Sequence, residues 1–292
     1  MEQLNIYSCS NCGVEVISNK KVEKCYYCNS NNILVHEMEN NIVPNYYLPF
    51  KINNNEAKKI LKNYYKRKVA ALIPKQFKNK SIINCIQGVY IPVWYYNYTA
   101  SGTVEVLGKK VNNFKTSNVK YEKIDDYLLN LDINCDFEYL PIIATKYIDS
   151  NIIDNIGPYN MKNIKNYDYN KFDYIVEKYS LNNDYCINIS EQKIKKLIEK
   201  KVLEQEKNYK FCEVQNSNIN LKLKNISCVL VPIYILNIKY KDKIYSIYIN
   251  GESGNIYSEI KFNKKFLIVI FIISFIALFS ILFMICYLRW FR

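Results

Sequence analysis

The sequence predicts an α+β protein in three parts: an N-terminal four-cysteine zinc ribbon, an α+β body with a duplicated strand unit, and a C-terminal transmembrane helix. Three observations predict it. The cysteines from Cys9 to Cys28 repeat as C-x2-C-x12-C-x2-C. Two proline-containing runs, "GVYIPVWYYNY" (88–98) and "CVLVPIYILNIKY" (228–240), share one pattern. The segment 266–288 is uncharged and almost wholly apolar. These features divide the 292 residues into a ribbon at 1–38, a body at 39–262 and a membrane span at 266–288.

The cysteine pattern carries the chemistry. Each C-x2-C pair can wrap a tight turn around one ion, and the twelve-residue spacer with its β-prone "VEVI" lets a hairpin bring the two pairs together. Gly13, directly after Cys12, helps the first turn to close. Cys9, Cys12, Cys25 and Cys28 are therefore expected to hold one structural Zn2+, with no coordination position left for water. Such an ion supplies about 10–16 kcal/mol of folding free energy to a module too small to fold alone. Iron, alone or as a cluster, is the alternative guest. His36, the single histidine, is read as an ordinary strand residue of "NNILVHEM", the expected closing strand of the ribbon.

The body begins with a helix. Asn53 followed by Glu56 matches a capping box, and Ala57, Ile60, Leu61 and Tyr64 follow at i, i+3, i+4, i+7 until Pro74. The proline runs come next. Superposed on Pro92 and Pro232, both fit V-x-[IV]-P-[VI]-[WY]-x-x-N, with Asn97 matching Asn237. Each is followed by a β-like stretch, and duplication of a strand unit 140 residues apart is the simplest account (repeat-like copies around 88–110 and 228–260). An internal proline places these strands at a sheet edge or makes it their first residue. "NGESGN" (250–255) predicts a hairpin turn. A second amphipathic helix is predicted over 190–207, with Ser190 as N-cap and Ile194, Leu197, Ile198 and Val202 as its buried stripe.

The 23 residues of 266–288 span about 35 Å as a helix, enough for a hydrocarbon core of about 30 Å. Lys261, Lys264 and Lys265 precede the run, while Arg289 and Arg292 follow it. Only four residues lie beyond it, and the N-terminus has no secretory signal, so a tail anchor is expected. Thiolate ligands and six scattered cysteines without repeated spacing favour a reducing compartment. That places the body in the cytoplasm, with a single pass through the cell membrane.

The net charge of +13 does not by itself imply nucleic acid. Arg occurs only at positions 67, 289 and 292, and base readers rely on Arg forks. Residues 1–260 carry 35 basic against 27 acidic side chains, and four thiolates around a divalent ion would lower that excess by about two. What remains suits an anionic cytoplasmic leaflet. Lys, Asn, Ile and Tyr are enriched together, as an AT-biased coding sequence would produce.

No catalytic constellation is present. One histidine cannot furnish a Ser–His or Cys–His system with its neighbours. "GTVEVLGKK" (102–110) has five residues between its glycines and no Ser or Thr after the lysines, so it is not a phosphate loop. Asp125 and Asp126 are read as solvated. The expectation is a protein without enzymatic activity and without a small-molecule substrate.

The ribbon, then "LPFKINNNEAKKILKNYYKRK", "IPKQF", "IQGVYIPVWYYNY" and "LVPIYILNIKYKDKIYSIYINGESGNIY" in that order, resemble a Firmicute family of TFIIB-type zinc ribbon-containing membrane proteins, sometimes labelled replication-restart helicases. The chain departs from that pattern in "CSNC", which lacks the proline of the first knuckle, and in Tyr234, where a Trp is frequent. Some members are similar to proteins grouped with phage-shock and SPFH-type envelope-stress systems, and the resemblance implies an adaptor role. The expected partner is a cytosolic protein. The alternative is a nucleic-acid-binding ribbon using Lys20, Lys21, Lys24, Tyr26 and Tyr27.

Overall fold

The structure, a computed structural model, describes residues 5–37, 44, 46–66, 77, 79–115, 120–167, 174–240, 243–260 and 264–290. The β-branched and aromatic runs pair into one eleven-stranded sheet. Its strands are β1 (Asn5–Cys9), β2 (Glu15–Ser18), β3 (Ile33–Glu37), β4 (Tyr46–Tyr47), β5 (Gln87–Lys115) and β6 (Lys120–Ile143). They continue with β7 (Lys165–Asn166), β8 (Ile175–Glu177), β9 (Phe211–Tyr240), β10 (Lys243–Asn250) and β11 (Ile256–Ser258). The order is β11-β10-β9-β5-β8-β2-β1-β3, with β6 on β5 and β4 joining β9 to β7. The helices are α1 (Asn54–Lys66), α2 (Lys80–Ile83), α3 (Ile152–Ile156), α4 (Asn183–Gln205) and α5 (Lys264–Trp290). The fold is thus mixed α+β, with a large sheet and a C-terminal apolar helix.

Three strands are very long: β5 has 29 residues, β6 has 24 and β9 has 30. At about 3.3 Å per residue, each reaches some 80–100 Å. β5 runs antiparallel to both neighbours, pairing from Val93↔Ile143 to Lys115↔Lys120 with β6 and from Gln87↔Ile235 to Lys109↔Phe211 with β9. The stretch "YTASGTVEVLGKKV" is therefore the continuation of the proline-containing strand. Together the far halves form a three-stranded arm.

Side-chain alternation assigns the faces. Val89, Ile91, Val93 and Tyr95 join Val229, Val231, Ile233 and Ile235 in one core, shared with α3 and the cysteine knuckles. On the opposite face, Tyr234, Leu236 and Ile238 pack under α1, while Tyr96, Tyr98, Ala100, Val104 and Val106 pack under α4.

The prolines are not at an edge, as the sequence suggested, but in the two central strands. Pro92 pairs with Leu230, and Tyr90 pairs with Pro232. The reason is that each sits at a gap in the outer ladder. β5 pairs with β8 at Val89 and Tyr90, then with β6 from Val93. β9 pairs with β4 at Val229 and Leu230, then with β10 from Ile233. The carbonyls of Pro92 and Pro232 accept from Ala144 N and Gly251 N at 3.0 and 2.8 Å. In an extended residue, N and C=O face the same neighbour, so each missing N–H falls where no strand requires it.

α1 starts as the capping box predicts: Glu56 N donates to Asn53 Oδ1 at 3.0 Å, and Asn53 N donates to Glu56 Oε2 at 2.8 Å. Ala57, Leu61 and Tyr65 are buried, with Ile60 and Tyr64 on the flanks. Pro74, the expected end of this helix, lies outside the described residues.

α4 differs from expectation. It begins at Asn183, seven residues before Ser190, and Asn182 is the N-cap, its Oδ1 accepting from Tyr185 N at 3.0 Å. Ser190 is fully buried instead, bonded to the Tyr98 hydroxyl at 2.8 Å and donating to Ile187 O at 2.7 Å. The buried stripe is Cys186, Ser190, Ile194, Ile198 and Val202, an unbroken i+4 row, whereas Leu197 is 40% exposed. A polar residue with an in-helix acceptor and a tyrosine partner can join such a row, which the sequence alone did not reveal.

The "NGESGN" turn joins β10 to β11 as predicted. Buried Asn250 organises it, accepting from Glu252 N and Ser253 N at 2.8 and 3.0 Å. Asp125 is paired with Lys123 at 2.9 Å and bonded by Asn112 Nδ2 at 3.2 Å, so it is not simply solvated. In α5, Ile268–Ile285 is long and apolar enough to cross a membrane, and its side chains are exposed. Lys261 and Arg292 lie outside the described residues.

Candidate metal centre

The two C-x2-C turns are built alike. Gly13 N donates to Cys9 O at 2.8 Å, and Asn29 N donates to Cys25 O at 3.0 Å. Cys9 N reaches Val14 O at 3.0 Å, as Cys25 N reaches Ser30 O at 2.8 Å. The residue after each second cysteine takes positive φ, 78° at Gly13 and 61° at Asn29, which Gly and Asn tolerate best. The first turn closes the β1–β2 hairpin, and the second lies between β2 and β3. "NNILVHEM" does supply the third strand, which pairs with β1.

These turns aim all four sulfurs at one point. Cys9 Sγ and Cys28 Sγ are 3.5 Å apart, Cys12 Sγ and Cys25 Sγ 3.7 Å, and the whole set lies within 4.8 Å. A tetrahedron with metal–sulfur bonds of about 2.3 Å has edges of about 3.8 Å. The set therefore fits a single ion. The amides of Tyr27 and Cys28 point at Cys25 Sγ, at 3.4 and 3.5 Å, as they would toward a thiolate.

Electrostatics argue the same way. Burial pushes the Cys12 thiol up to about 11, against the Val14 backbone and the Cys25 side chain. Burial also pushes Cys25 up, opposed by the amides of Cys28 and Tyr27. For Cys28, burial is outweighed by hydrogen bonds from the Asn11 side chain and the Ser30 backbone and by its cysteine neighbours, leaving it at about 7. Clustered thiolates in a buried setting need a cation, and a coordinated thiol is deprotonated outright. With four donors, no position remains for substrate or water.

The centre is mortised into the sheet. β2 pairs with β8 through Val16↔Glu177 and Ile17↔Val176, so the ribbon's strands continue those of the body. Tyr147 donates to Gly13 O at 2.6 Å and packs edge-on to Tyr27. Asn237 Nδ2 donates to Tyr26 O and Tyr27 O, both at 2.7 Å, and Asn29 Nδ2 returns to Asn237 O at 3.2 Å. Behind the second turn, the Tyr26 and Thr145 hydroxyls donate to the two carboxylate oxygens of fully buried Glu177. Burial lifts Glu177 to about 7 against those two hydrogen bonds.

Sequence reasoning found the four cysteines. It missed Glu177, Thr145 and Tyr147, which no local spacing marks. Asn237 did carry a signal, as the matched asparagine of the second proline run. His36 stands in β3, 2.8 Å from Ser8 Oγ, and is not part of the sulfur cluster. Tyr26 is buried and Tyr27 half-buried, while Lys20, Lys21 and Lys24 are exposed.

The chain is similar to the uncharacterized protein YdjG of Bacillus subtilis (strain 168), with 23% identity over 225 residues. That match covers 77% of this chain and 65% of the relative's length. No family model and no solved structure matches the chain.

Proposed function

We propose that this protein is a membrane-anchored adaptor without enzymatic activity, whose single structural Zn2+ locks a cytosolic docking body together. Four sulfurs at tetrahedral spacing, with no open ligand position, carry this reading. Zinc is the guest we expect, because it accepts four thiolates without redox chemistry. Among the described residues α5 is the one helix long and apolar enough to span a membrane, and the reducing chemistry of the thiols argues for a cytosolic body. Protein recognition is favoured over nucleic acid because Tyr26 is buried and so offers no ring for stacking.

The β5 and β9 runs are, in this reading, copies of one unit. Residues 140 apart meet across the sheet at Ile91↔Val231. The paired gaps at Pro92 and Pro232, and the matching bonds from Ala144 and Gly251, support a two-fold relation between them. By the family resemblance, the partner belongs to an envelope- or membrane-stress assembly.

The test is photo-crosslinking of the full-length protein in intact cells, with crosslinkers distributed over the exposed body. A reproducible protein adduct is expected. Recovery of nucleic acid instead, with steep salt dependence, would replace this reading by the ribbon-binding alternative. Cysteine labelling from the two sides of sealed vesicles tests the orientation; Cys85, which is exposed, should react from the cytosolic side.

A further inference from the structure

The arm leaves β6 with one bare side. β6 pairs with β5 alone, so among the described residues no strand satisfies its outer row of N–H and C=O groups. Long open edges invite pairing with another chain, and proteins ordinarily blunt them with lysine, proline or a covering element. β6 carries such devices at its ends, Lys120 and Lys123 at the start and a bulge at Tyr139 with Pro141 at the finish, whereas the only charges between them are carboxylates, in a chain of net charge +13.

Beside that edge, α4 does not cover the sheet completely. A groove of about 630 Å³ runs between them, lined by apolar Ile133, Cys135, Phe137, Leu197 and Val202 and, from α4, by Lys200, Lys201 and Glu204. Alternate β6 residues thus supply the apolar part of its lining. The intervening ones, Asp132, Asn134 and Asp136, are exposed and also line the groove. Asp136 already recruits a lysine from within the chain: Lys224 Nζ lies 2.8 Å from its Oδ1, which also accepts from Thr99 Oγ1 at 2.8 Å. An open backbone edge beside a partly apolar groove under a helix is the arrangement that binds an added strand. Main-chain bonds supply affinity there, and alternate pockets supply specificity.

We propose that the β6 edge and the β6–α4 groove form a strand-addition site for an extended segment of a partner protein, alternating apolar and basic residues. The apolar side chains enter the groove, and the basic ones face Asp132 and Asp136. This rests on the adaptor reading and assigns its docking surface. A second copy offering its own β6 is disfavoured, because carboxylates would then face carboxylates.

Cys135, half-buried on the groove side, makes a built-in reporter. The probe is a synthetic Lys-Ile-Lys-Cys-Lys-Ile-Lys peptide with an activated thiol, added to the full-length protein in detergent micelles. Mass spectrometry then locates the mixed disulfide. Labelling of Cys135 should run at least about ten-fold faster than with the cysteine moved to a basic position, because access differs between the faces. Proline at alternate positions should abolish the difference. Asp132→Lys, an exposed change, should slow labelling several-fold, and less so in high salt.

Equal labelling by both peptides, or none at Cys135, overturns the proposal. So does a Cys135–Cys135 homodimer formed without peptide under dissolved oxygen as oxidant, which would give the edge to a second copy. In cells, a partner captured only from other surfaces removes the groove and leaves the adaptor reading standing. Peptide labelling in the expected pattern, with no partner crosslinked anywhere in cells, keeps the groove and removes the adaptor.

Discussion

The side-chain amide of Asn237, on a central strand, donates to the backbone carbonyls of both Tyr26 and Tyr27 at 2.7 Å. One side chain therefore ties the second cysteine turn to β9. Asn237→Ala would leave two largely buried acceptors unpaired, at a cost of about 1–3 kcal/mol. Denaturant unfolding should register that loss. Its counterpart Asn97 accepts from Tyr139 N at 2.7 Å in an exposed setting, so Asn97→Ala should cost clearly less. Equal losses would mean that Asn237 has no special docking role.

The metal centre should hold one zinc per chain, measurable by elemental analysis of purified full-length protein. Cys25→Ser removes a buried ligand and should abolish stoichiometric metal. Strong chelators should then expose β1–β3 to rapid hydrogen exchange, since binding energy and folding energy are one quantity in such modules. Retained protection of β1–β3 in the chelated protein would make the sulfur cluster structurally idle.

Glu177 predicts a pH dependence of the opposite sense to the usual carboxylate. Burial raises it from 4.5 to about 7, so between those values the folded chain holds a proton that the unfolded chain has released. Its contribution is fully present below pH 4.5 and is lost as the pH rises through about 7. The difference amounts to about 3 kcal/mol. Glu177→Gln keeps a neutral group there and should be nearly neutral at pH 5 yet stabilising relative to the native chain at pH 8. Comparing the two proteins at matched pH cancels the protonation of the metal ligands. A difference that does not change with pH would disprove the assignment.

In the arm, Gly102 has φ of 143°, and a Cβ there would lie 2.0 Å from Asn218 O. Gly102→Ala therefore combines backbone strain with a cross-strand collision and should cost more than about 1 kcal/mol. Hydrogen exchange should quicken around residues 99–106 and 214–221, while the metal content stays unchanged. Loss of metal as well would mean that the arm and the ribbon unfold as one unit.

Local covalent spacing was enough for several features. The two C-x2-C turns, the Asn53–Glu56 capping box, the Asn250–Asn255 turn and the apolar run of α5 each depend on residues a few positions apart. Their physics is complete within one turn or one helix. The clustering of Cys9, Cys12, Cys25 and Cys28 was legible for the same reason.

Other features belonged to the tertiary structure. Ser190 reads as a helix cap until Asn182 is seen to start the helix and the Tyr98 hydroxyl to donate to Ser190 Oγ. Pro92 and Pro232 read as edge residues until the sheet places a ladder gap beside each. Glu177 and Asn237 reach Tyr26 across separations of 151 and 211 residues, and Thr145 reaches Glu177 across 32; contacts of that range leave no periodic trace in a sequence. The sequence by itself determined the four clustered cysteines and the apolar helix, because those need only composition and spacing. Tertiary structure decided how the ribbon joins the sheet and which strand edge stays open, because hydrogen-bond partners between distant strands are chosen only when the whole sheet assembles.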